Sequence, residues 1–120
     1  MDDNKKEQLE ALGVLAEFND RLVKNMKIVS KELAGNRLED TDQFLKSIID
    51  AINWEIQVVN GTLDVLNQGK ERLNKDDFNA YIVSLNNAIN SKDDIKLAEG
   101  FSNTVSVFEQ LGISVKEVIS

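Results

Sequence analysis

The sequence predicts an all-α fold: an antiparallel up-down bundle of four main helices, two long then two short, in a single domain over residues 1–120. Three observations predict it. The 120 residues include no proline, which suits long uninterrupted helices because proline removes a backbone donor and clashes with the preceding turn. Apolar residues recur at three- and four-residue spacing through most of the chain, the period of a helix with one buried face. Short polar residues and glycines separate these runs where helix caps and turns belong.

The first helix is expected over residues 4–34. Asp2, Asp3 and Asn4 are N-cap candidates, with Glu7 in the first turn. Leu12, Leu15, Phe18, Leu22, Met26, Val29 and Leu33 form its apolar stripe. Arg21, Lys24, Lys27 and Lys31 lie on the opposite side, toward the C-terminal end, where cations suit the helix dipole. Gly35-Asn36 supplies the stop.

The second helix, residues 41–68, is capped by Asp40 or Thr41 and ended by Gly69. It has two apolar faces. Leu45, Ile48, Ile49, Ile52, Ile56, Val59, Leu63 and Leu66 share one. Phe44, Ala51, Trp54, Val58 and Val65 share the other, and Asn53, Gln57, Asn60 and Asp64 fill a narrow polar strip. A helix wetted on so little of its surface needs cover from more than one direction.

Asn74 caps the third helix, residues 75–90, with Asp76 and Asp77 in its first turn. Phe78, Tyr81, Ile82, Leu85, Ala88 and Ile89 form its inner face. Ser91-Lys92-Asp93-Asp94 resembles a capping box. It opens the fourth helix, residues 92–111, which turns Ile95, Ala98, Phe101, Val105 and Phe108 inward and stops at Gly112. Residues 113–120 alternate apolar and polar, as a last helical turn, a short strand or a docking segment would.

At ~1.5 Å per residue the first two helices span roughly 40 Å and the last two roughly 25 Å. The long hairpin therefore overhangs the short one, around Met26, Val29, Leu33, Phe44, Leu45 and Ile48. Burying each such side chain is worth roughly 1.5–3 kcal/mol, so either the tail or a second copy of the chain should cover them. Trp54, Val58, Gly61 and Val65 add a second face for a partner, with Gly61 permitting close helix approach. Trp54 reads equally as an interface anchor and as core.

Composition narrows the chemistry. There is no histidine and no cysteine, which removes the commonest general base, the commonest transition-metal ligand, thiolate chemistry and any disulfide. The formal net charge of −7 disfavours nucleic acid and anionic membrane as partners. The acidic start Met1-Asp2-Asp3-Asn4 is unlike a signal peptide, and no apolar run approaches the ~20 residues of a membrane span. The chain is expected in the cytoplasm.

Glu7 and Glu10 form E-x-x-E, and Glu17 and Asp20 form E-x-x-D. Such motifs hold magnesium when two helices bring them face to face. Here both lie on one outward helix face and cannot close around an ion. The acidic pairs Glu39-Asp40, Asp76-Asp77 and Asp93-Asp94 each sit where a helix begins, which capping and the dipole explain. Asn53, Asn60 and Asn67 recur every seven residues, as a solvated strip or as a ladder to a partner helix. No catalytic, cofactor-binding or metal-ligating residue is predicted, and no cofactor.

The segments Ile48-Ile49-Asp50-Ala51-Ile52-Asn53-Trp54 and Asn90-Ser91-Lys92-Asp93 resemble those of a family of small acidic all-helical proteins of unassigned function from Gram-positive bacteria. The resemblance covers most of the chain. It implies a helical fold and brings no site residues. The expected function is a non-enzymatic interaction module, an adaptor or chaperone-like partner that binds an unidentified protein and forms a homodimer. The alternatives are a carboxylate and divalent-metal enzyme on a helical bundle, and an acidic decoy for a basic protein.

Overall fold

The computed structural model describes residues 2–120, which form α1 (Asp2–Leu33), α2 (Thr41–Leu66), α3 (Lys75–Asn90) and α4 (Asp94–Ile119). There is no strand among the described residues. The N-cap candidates Asp2, Asp3 and Asn4 already lie inside α1, and the position before it, Met1, lies outside the described residues.

Local chemistry accounts for most boundaries. Gly35 takes φ +121°, a left-handed conformation that follows the end of α1 and that a side chain resists. α2 stops at Leu66, two residues earlier than its periodicity suggests. Asn67 organises the turn that follows: its Oδ1 accepts from the Arg72 and Leu73 amides at 3.0 and 2.9 Å, and its Nδ2 donates to the Leu73 carbonyl at 2.9 Å. Asn74 caps α3 as expected, accepting from the Asp77 amide. At α4 the cap is Asp93 and not Ser91; its carboxylate accepts from the Ile95 and Lys96 amides. At α2 Asp40 holds the cap position without a side-chain bond. The Thr41 hydroxyl instead accepts from the Leu38 amide and donates to Glu32, both at 2.8 Å.

The largest departure from expectation is α4. It runs through Gly112 to Ile119, so residues 113–120 are not a tail, and only α3 is short. Gly112 is buried in mid-helix against α1, where an added Cβ would overlap the Asn19 amide nitrogen. Gly100 lies farther up the same helix against α3, where a Cβ would come within 2.9 Å of Ala88 Cβ. These two glycines are there for close approach. A glycine read as a stop signal in sequence is, in this helix, a place where neighbours come near.

α4 packs against each of the other helices, most extensively against α1, whereas α3 packs on α4 alone. α4, more than α2, is the element the molecule is built on. The Asn19 side chain donates to the Phe108 carbonyl and the Ser30 hydroxyl to the Ala98 carbonyl, both at 2.9 Å. These pairs run in opposite order along the two helices, so α1 and α4 are oppositely directed. Side-chain ties also gather both long loops onto the ends of α4. Arg37 grips Asp94 with Nε and Nη2, at 2.6 and 3.0 Å, and reaches Asp42 with Nη1. Lys70 and Arg72 both donate to Glu117.

The register of α4 removes the expected overhang: Ser30 lies beside Ala98, so α4 begins level with the C-terminal end of α1, and its added residues 112–119 run along the N-terminal half of α1. At ~1.5 Å per residue α4 spans nearly 40 Å and matches the long hairpin. Met26, Val29, Leu33 and Ile48 are fully buried in one core with Leu97, Ala98, Phe101 and Val105 of α4. They need neither a tail nor a second copy to cover them.

Candidate functional site

The α1–α2 hairpin carries an aromatic step on its outer surface. Phe18 of α1 and Trp54 of α2 meet edge to face, with ring centroids 5.8 Å apart at 67°. The Arg21 guanidinium lies 5.7 Å from the Phe18 centroid, the geometry of a cation–ring attraction. Both rings remain open to solvent, Phe18 to 49% and Trp54 to 38%. Val14 at 43% and Ile28 at 41% extend the same ridge along α1. Val14, Phe18, Arg21, Asn25 and Ile28 alternate four- and three-residue steps, the spacing of a helix seam that faces another helix.

The residues expected at an interface divide on this structure. Trp54 and Gly61 are exposed and Val58 is half-buried, while Val65 is buried. Met26, Val29 and Leu33 are core, and Phe44 is half-buried against that core. The second apolar face of α2 is thus open only around Trp54. Phe18, read from sequence as part of the inner stripe, is outside. Asn19 takes its place inside, continuing a 4–3 alternation through Leu15, Asn19, Leu22, Met26, Val29 and Leu33. The signal was present in that spacing, and the polarity of asparagine concealed it.

Glu55 was missed for the same reason. It is 1% exposed, and neither carboxylate oxygen has a hydrogen-bond partner among the described residues. Desolvation pushes its carboxyl up to about 8, so it is largely protonated at neutral pH. Thr41, Ile48, Glu55 and Thr62 recur every seven residues and are all buried. The Thr62 hydroxyl returns to the Val58 carbonyl at 2.7 Å. The seven-residue asparagine series is less uniform: Asn53 and Asn60 are exposed, and Asn67 builds the loop.

The acidic motifs of α1 stay apart. Glu7, Glu10, Glu17 and Asp20 are exposed, and Asp20 accepts from Lys116 at 3.1 Å. Among the described residues no three carboxylates converge on a common point. A shallow groove of about 270 Å³ between α3 and α4 is lined by Phe78, Tyr81 and Val107, with Arg72 and Asp77 at its rim. Tyr81 sits half in water there, as a tyrosine at a core edge does.

The model of a family described as a domain of unknown function (DUF8042) matches residues 10–111. No curated protein and no solved structure matches the chain.

Proposed function

The chain belongs to the DUF8042 family, whose function is unassigned, and we propose that it is a non-enzymatic protein–protein interaction module. Its contact surface on this reading is the ridge around Phe18 and Trp54, and it acts as an adaptor or chaperone-like partner in the cytoplasm. The single observation that carries the proposal is the pair of large aromatic rings left half in water. Met26, Val29, Leu33 and Ile48, which the sequence left in need of cover, are buried within the chain. Aromatic residues beside an arginine are the composition of interface anchors. Protein partners are favoured over nucleic acid by the net charge of −7.

F18S and W54S test this reading. Both rings stand half in water, so the variants should keep the parent's helical content and lose only the ring–ring contact, with melting temperatures lowered by several degrees. Light scattering after gel filtration at high micromolar concentration should show the parent chain above monomer mass and both variants at monomer mass. A parent chain and variants that behave alike would remove the ridge as the contact surface. A metal-dependent enzyme on the same bundle predicts stabilisation by magnesium, manganese or calcium. The interaction reading predicts flat thermal shifts with all three.

A further inference from the structure

The ridge is flanked along α1 by four exposed charges, Glu10, Glu17, Lys24 and Lys31, spaced seven residues apart. At that spacing they lie in one row, two negative and then two positive. Among the described residues none of the four forms an ion pair within the chain, although their neighbours Asp20 and Lys27 are taken by Lys116 and Glu109 of α4. The helix dipole acts over the last turn only, so it accounts for Lys31 and leaves Lys24 unexplained.

We propose that the ridge is occupied by a second copy of the same chain, with the two α1 helices crossing antiparallel about a two-fold axis between Glu17 and Lys24. This rests on the interaction reading above and adds the partner and its register. Antiparallel pairing sets Glu17 of each copy against Lys24 of the other, and Glu10 against Lys31, so all four flanking contacts are attractive. A parallel pair would carry the two rows to opposite sides of the seam and leave all four charges unpaired. The same axis brings Phe18 of one copy beside Arg21 of the other, repeating the cation–ring contact made within the chain at 5.7 Å. Trp54 closes the edge of the seam on the α2 side. A two-fold contact of this kind uses one patch twice and stops at two copies.

Charge reversal in two complementary variants tests the register. E10K/E17K and K24E/K31E each place like charges across the axis, and sedimentation equilibrium at low salt should show each dimer at least about tenfold weaker than the parent. An equimolar mixture of the two restores opposite charges across one interface. It should form a heterodimer within about threefold of the parent affinity. The four residues are exposed, so circular dichroism should show both variants folded. A parent chain that stays monomeric at high micromolar concentration overturns the proposal. So does a dimer that both reversals leave intact; if that dimer is still lost in F18S, the interaction surface stands and the antiparallel register falls.

Discussion

Glu55 places a carboxyl in the core face of α2 with neither oxygen bonded among the described residues. Its proton is held to about pH 8, against an ordinary value of 4.5. Across that window the folded chain keeps a proton that the unfolded chain has lost, so stability falls as pH rises and levels off above it. Asp94 and Glu117 act in the opposite sense. The Arg37 guanidinium holds Asp94 below the usual carboxylate range, and Lys70 followed by Arg72 does the same for Glu117. Their contribution is complete above that range and is lost as pH falls through the lowered values. Stability should therefore peak near about pH 5. Urea midpoints should decline from there to about pH 8.5, E55Q should flatten the decline, and E55M should add on the order of a few kcal/mol at the alkaline end. A parent profile that is flat above about pH 5 would mean that water reaches this carboxyl. The residue was legible only through its place in the Thr41, Ile48, Glu55, Thr62 series. A charge in mid-helix reads as surface until the heptad line is drawn through it.

At the scale of the element, α4 meets its neighbours closely at Gly112 and Gly100. Ala in place of Gly112 would push on the Asn19 amide and its bond to the Phe108 carbonyl. G112A should cost roughly 1–3 kcal/mol. G61A changes an exposed mid-helix glycine with nothing within 4 Å of the new Cβ, and should gain about 0.5–1 kcal/mol. Equal effects of the two substitutions in chemical denaturation would contradict the close approach of α1 and α4. Truncation after Leu111 would remove Val115, which is fully buried, and should leave a chain far less resistant to urea. α3 lies at the other extreme, with only Phe78 and Leu85 buried and α4 as its sole helical neighbour. Its amides should exchange with deuterium sooner than those of α1 and α4. The helical class, the four elements and the Asn74 cap were readable because they depend on local chemistry. The course of α4 was not, since Gly112 serves a contact with Asn19, a residue 93 positions away in sequence, and periodicity cannot see that far.

For the whole molecule, a body of 49 × 25 × 19 Å buries the far end of its long hairpin and leaves one aromatic step in water. Sequence periodicity set Trp54 apart from the main apolar face of α2, but it also nominated Met26, Val29 and Leu33, because helix lengths alone do not say that α4 starts beside the C-terminal end of α1. With those residues inside, the proposed contact surface on the long hairpin is the ridge of α1 beside Trp54. Trp54 is the single tryptophan of the chain, so its fluorescence reports on this surface alone. The most direct measurement is its emission maximum and its quenching by acrylamide, followed as protein concentration is raised from nanomolar to high micromolar at low salt. A two-fold contact at the ridge should shift the emission to shorter wavelength and lower the quenching, both effects absent in E10K/E17K alone and regained when K24E/K31E is added. Emission and quenching that stay constant over the whole range would contradict it.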